Sequence, residues 1–127
     1  MFRSSLLALI VTVVIAAFAF AEDDHHHKGQ HGGIVSDTSG HHHVELIVAD
    51  RSIELHVFHD DGESEDITDA KVKATMLSGG KTEKIPLTPD GNVLKGSSQT
   101  KLGKGDTIVI TLTIPDHETE QARFKLE

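Results

Sequence analysis

His43-Val44-Glu45-Leu46-Ile47-Val48-Ala49-Asp50-Arg51-Ser52-Ile53-Glu54-Leu55-His56-Val57-Phe58 reads as two strands joined by a tight turn. Val44, Leu46 and Val48 alternate with His43, Glu45 and Ile47, and Ile53, Leu55 and Val57 alternate with Glu54 and His56. Period-two alternation puts one set of side chains on a buried face and the other set on the opposite face. With Asp50-Arg51 as a two-residue turn, residues whose numbers sum to 101 oppose one another. Val48 then meets Ile53, Leu46 meets Leu55 and Val44 meets Val57, so apolar faces apolar along the hairpin. A slip of one residue would turn every side chain to the wrong face. Asp-Arg is not among the preferred hairpin dipeptides, so the register rests on the alternation rather than on the turn.

The same period recurs on both sides of this hairpin. Upstream, Ile34-Val35 predicts a short first strand, closed by the turn-rich Ser36-Asp37-Thr38-Ser39-Gly40. Downstream, Val72, Ala74 and Met76 share one face of a strand over residues 71–77, and Ser78-Gly79-Gly80-Lys81 turns the chain into a strand over 82–87. Pro86 places that strand at an edge or ends it. Pro89-Asp90-Gly91-Asn92 reads as a turn before a strand over 93–98. Ile108, Ile110, Leu112 and Ile114 alternate with polar or exposed positions over 106–114. After Pro115-Asp116-His117-Glu118, the residues Ala122, Phe124 and Leu126 mark the last strand. About seven short strands, with turns roughly every eight to twelve residues and no amphipathic helix, predict an all-β domain over residues 34–127. The expected architecture is an antiparallel β-sandwich of immunoglobulin-like size, with a small barrel as the alternative.

Arg3, an apolar run over residues 6–20 and the small-x-small end Ala19-Phe20-Ala21 read as a secretory signal peptide spanning 1–21. The run is short of the roughly twenty residues a membrane-spanning helix needs, so cleavage and release to the periplasm are expected, with an uncleaved anchor as the alternative. Residues 22–33 have no hydrophobic period and are rich in His and Gly, which predicts a flexible arm. There is no cysteine, hence no disulfide and no thiol ligand. A formal charge of −8 disfavours nucleic acid and anionic lipid and suits cations.

Seven of the ten histidines fall within residues 25–43. Neutral imidazole is a favoured ligand of zinc, copper and nickel, so the arm points to divalent metal. His25, His26 and His27 suit weak capture, because a floppy segment must be ordered before it holds a defined geometry. A cut one residue past Ala21 would set Asp23-Asp24-His25 behind a free amine, an arrangement suited to square-planar copper(II) or nickel(II). In the hairpin register, Glu45 opposes His56 and His43 opposes Phe58, on the face away from the core. Opposed Cβ atoms lie about 4.5–5.5 Å apart, close enough to share an ion. His41, His43, Glu45 and His56 thus form a candidate ligand set, with an ordinary polar cross-strand pair as the competing reading. His59, beside Asp60 and Asp61, is a further candidate, and His117 is expected to be solvated surface. Asp60-Asp61-Gly62-Glu63-Ser64-Glu65 departs from the spaced oxygens of an EF-hand, and no glycine cluster matches a phosphate-binding loop.

His31-Gly32-Gly33, His43-Val44-Glu45-Leu46 and Phe58-His59-Asp60-Asp61-Gly62 resemble a small periplasmic β-domain of bacterial heavy-metal resistance systems. That domain occurs alone or near the N-terminus of the adaptor subunits of metal-exporting pumps. The resemblance extends over residues 71–80, 89–96 and 105–124. It implies binding of zinc, copper, nickel or cobalt in the periplasm, delivery to an efflux adaptor as partner, and His31, His43 and Glu45 as ligands. At His59 the chain departs from the family, which carries aspartate where Phe58 stands. The coiled-coil hairpin and lipoyl-like halves of a full adaptor have no counterpart in the sequence, so the expected role is a metal buffer, chaperone or sensor. A second class is an exported interaction module whose histidines solubilise it or respond to pH. A metalloenzyme is disfavoured, since His41-x-His43 lacks further spaced ligands and no base is marked beside an open metal position.

Overall fold

A computed structural model describes residues 29–127. The signal-like run and His25, His26 and His27 lie outside the described residues. The chain forms eight strands: β1 (Ile34–Asp37), β2 (His42–Ala49), β3 (Ser52–His59), β4 (Lys71–Ser78), β5 (Lys81–Asp90), β6 (Val93–Ser97), β7 (Thr107–Thr113) and β8 (Glu120–Lys125). All neighbouring pairs are antiparallel. No helix of the described residues is long and apolar enough to cross a membrane.

The β2–β3 hairpin pairs in the register that the alternation demands, with Val48 opposite Ile53, Leu46 opposite Leu55 and Val44 opposite Val57. Asp50 takes a left-handed φ of 55°, a conformation that Asp tolerates better than most residues, and so supplies the tight reversal. The carbonyls of Asp50 and Arg51 accept the amides of Leu102 and Ser98, at 2.9 and 2.7 Å, which ties this turn to the loop before β7.

The strands run β1-β2-β3-β6-β5-β4-β7-β8 in one continuous hydrogen-bonded order. Two stacked sheets of about seven strands were expected from the turn spacing. The difference arises in β5. Its residues 81–87 pair with β4, and Thr88, Pro89 and Asp90 pair with β6. The strand therefore does not end at Pro86. The proline sits where one ladder gives way to the other, a place where a missing amide hydrogen costs little. Pro89 likewise lies in the strand, and the turn falls on Gly91-Asn92, where Gly91 has a φ of 63°. Gly96 on β6 passes so close to β5 that a Cβ there would stand 2.8 Å from the Pro86 carbonyl oxygen. Only glycine lets the two backbones approach at this corner.

The last strand comes round to the first. Ser39 donates its amide to the Gln121 carbonyl at 2.9 Å, and the Gln121 amide returns to Ser39 Oγ at 3.0 Å. The sheet is thus nearly closed into a barrel around Val44, Leu46, Ile53, Leu55, Ile108, Ile110, Leu112 and Phe124, each 1 % exposed or less. Burying each such side chain contributes about 1.5–3 kcal/mol, which in a chain without disulfides carries the fold. The same inward parity that places these residues continues past the apolar stretch into polar ones, and there the candidate site lies.

Candidate metal centre

Val44, Leu46 and Val48 face inward, so His42, two positions earlier, faces inward too. Its partner across the ladder is His59, two positions beyond Val57 on the inward face of β3. Beyond His59 the chain reverses tightly at Asp60-Asp61-Gly62, where Gly62 has a φ of 89° and donates its amide to the His59 carbonyl at 2.9 Å. The return segment lies along β3: Phe58 bridges to Ser64, and the Glu65 amide reaches the Val57 carbonyl at 2.9 Å. This backfold carries the Glu65 carboxylate under both imidazoles. Glu65 Oε2 lies 2.8 Å from His42 Nε2 and 3.1 Å from His59 Nδ1.

His42 is buried at 3 % exposure, and a second carboxylate holds its other nitrogen. Glu120 Oε2 lies 2.6 Å from His42 Nδ1, while Glu120 Oε1 accepts the Thr38 hydroxyl and the His41 amide, each at 2.8 Å. Glu120 stands on the inward face of β8, so it reaches His42 across the seam between the first and last strands. Burial alone would push the Glu120 carboxyl up, but the hydrogen bonds from Thr38 and His42 and the charge of the ring outweigh it and hold it below 4.5.

One ligand atom each from His42, His59 and Glu65 lie within 4.8 Å of one another. Donors on a tetrahedral zinc with bonds of about 2.0–2.1 Å stand about 3.3 Å apart. The observed 2.8 and 3.1 Å from Glu65 to the two rings are a few tenths short of that. Glu120 would then fix the His42 ring from behind, as carboxylates commonly do for metal-bound imidazole. Two nitrogens and one carboxylate oxygen suit zinc, copper(II), nickel and cobalt better than calcium, which prefers oxygen alone. His42 thus has a carboxylate oxygen at each of its two ring nitrogens.

The six residues expected from the sequence fall in three places. His59 belongs to the group just described. Glu45 and His56 are opposite one another on the outer face, as the register requires, and His31 joins them. Loop residues 29–33 fold over this face: the amides of His31 and Gly33 each donate to Glu45 Oε2 at 2.9 Å, and His31 Nδ1 lies 3.0 Å from Oε1. The His31 ring stacks on His56 with centroids 3.9 Å apart and planes 8° from parallel. Glu45 is fully buried with both oxygens engaged, so it clasps the loop to the sheet. Burial lowers the readiness of His56 to take a proton, and the neighbouring His31 adds to that effect. His43 and His41 form the third place, at the surface. His43 pairs with Asp37, its Nε2 stands 3.6 Å from Asp60, and the largely exposed His41 stands 3.9 Å from the same carboxylate.

Sequence reasoning missed His42, Glu65 and Glu120. The hairpin register carries the signal for the first: one further step of the same pairing, beyond His43 and Phe58, gives His42 opposite His59 with core-facing parity. Glu65 and Glu120 had no such signal, because each arrives through a loop or a strand pairing outside the hairpin. Comparison with known protein families, curated proteins and solved structures finds no match to this chain.

Proposed function

We propose that the protein binds one divalent transition metal ion, zinc or copper(II) ahead of nickel or cobalt, among His42, His59 and Glu65. In this reading it is a non-catalytic periplasmic buffer, chaperone or sensor serving heavy-metal resistance, with a metal-efflux adaptor subunit as the partner that receives the ion. The observation that carries the reading is the convergence of three ligating atoms at the mouth of the barrel, with Glu120 backing one of the rings. The His-rich segment before residue 29 would raise the local concentration of metal. We read the scaffold as a flattened barrel whose two halves share β5, in place of the immunoglobulin-like sandwich.

A competing reading, an exported interaction module with a structural ion network, has one observation in its favour. Among the described residues every buried polar side-chain atom already has a hydrogen-bond partner. Calorimetric titration of the metal-free protein separates the two. The metal reading expects a tight first equivalent of zinc with release of protons, followed by weaker binding to the surface histidines. Glu65→Gln keeps the shape of the side chain but loses its charge, and should remove the tight equivalent while leaving the weak ones. Weak multi-equivalent binding alone, unchanged in Glu65→Gln, would reject the site.

A further inference from the structure

We infer that His117 is the fourth ligand of the ion held by His42, His59 and Glu65, so that the centre closes as three imidazoles and one carboxylate. The inference rests on the proposed metal reading and goes beyond it by fixing the coordination. Two imidazoles sharing one tetrahedral zinc, with Zn–N bonds of about 2.0–2.1 Å, place their ring centres about 5.2 Å apart. The His42 and His59 rings are 5.7 Å apart, and the His42 and His117 rings are 5.6 Å apart. His117 is therefore as near to that spacing as a member of the ligand group itself. Its ring stands at 70° to that of His42, so the two rings are not stacked face to face.

His117 lines one cleft of about 430 Å³ together with His41, His42, His59, Asp60, Asp61 and Glu63. Of the two histidines at its rim, His41 turns to Asp60, whereas no carboxylate pairs with His117 among the ion pairs of the described residues. His117 sits in the exposed turn between β7 and β8, beside Asp116 at a φ of 66°, with its amide donating to the Ile114 carbonyl at 3.1 Å. An ion so bound would link the β7–β8 turn to the β2–β3 hairpin across the seam where the barrel closes. With four protein ligands it would have no open position, which suits holding and handing on a metal rather than activating water.

Cobalt(II) is the probe, because its visible absorption is strong when four-coordinate and weak when five- or six-coordinate. The full chain loaded with one equivalent of cobalt is expected to absorb strongly. His117→Ala should still bind, but with a weaker spectrum and an affinity lower by at least about tenfold, the low end of what even an outer hydrogen-bond partner costs. Since His117 is exposed, the urea midpoint of the metal-free variant should match the parent, and His41→Ala should leave spectrum and affinity unchanged. A strong spectrum and parental affinity in His117→Ala would overturn the fourth ligand alone. A weak spectrum in the parent would overturn it as well. No cobalt binding by the parent would overturn the metal reading together with it.

Discussion

His42→Ala is expected to destabilise the metal-free protein by about 3–5 kcal/mol, the cost of removing one partner from a buried charged network. The ring fills the space between Glu65 and Glu120, whose carboxylates contact its opposite nitrogens at 2.8 and 2.6 Å. Both carboxylate side chains are themselves at most 10 % exposed. Without the ring they confront each other across a cavity with no cation between them, at the seam where β8 meets the first strands. A small domain has about 5–15 kcal/mol of stability in all, so this single change removes a large share. His59→Ala is the informative contrast. Its ring is partly exposed, so it should lower metal affinity with little loss of metal-free stability. Urea unfolding of both variants reads the difference, and equal midpoints would show that the buried network does not hold the barrel mouth.

The second large effect is expected at Glu45. Glu45→Ala strands the amides of His31 and Gly33 under a loop that must then lift off the sheet. Each unsatisfied buried donor costs about 1–3 kcal/mol, and lifting the loop into water relieves part of that, so a loss of about 2–4 kcal/mol is expected. Zinc stoichiometry at the barrel mouth should not change, since Glu45 clasps the loop and does not face His42. The effect also has a pH signature. Burial by itself would raise the Glu45 carboxyl, but the hydrogen bonds from the His31 side chain and from the Gly33 and His31 amides outweigh it and hold it below 4.5. A depressed native value means that the stabilisation is complete above the ordinary carboxylate value and is lost as pH falls through the native one. Glu45→Gln should therefore lose less stability than the parent on acidification from about pH 5.5 to about pH 3. Parallel pH profiles would show that Glu45 does not clasp the loop. Glu120 is held low in the same way, and hydrogen bonds hold Asp66, Glu83 and Asp106 low as well, so Glu45→Gln should keep part of the acid sensitivity.

The hairpin register was legible because Val44, Leu46 and Val48 can meet Ile53, Leu55 and Val57 in only one alignment that buries both sets. The strands β4, β7 and β8 were legible for the same reason, whereas β1 and β5 run further than their patterns marked, to Asp37 and Asp90. The order of strands was not, because β5 changes partner beyond Pro86 and no local pattern marks a strand that serves two ladders. The outer-face pairing of Glu45 with His56 was legible, but the role of Glu45 was not. Its partners come from residues 29–33, which carry no hydrophobic period and so offered no reason to expect them folded onto the sheet. At the barrel mouth, His42 and His59 follow from register and parity. Glu65 depends on how far the chain backfolds after Gly62, and Glu120 depends on β8 closing against β1, a contact made 78 residues away in sequence from His42.

The proposed function requires a divalent ion at the barrel mouth rather than on the outer face or on the arm. Anomalous scattering at the zinc absorption edge, from crystals grown with one equivalent of zinc, locates the ion. A single strong peak is expected about 2.0–2.2 Å from His42 Nε2, His59 Nδ1 and a Glu65 oxygen. A peak between His31 and His56, or on His41, His43 and Asp60, with none beside His42, would contradict it.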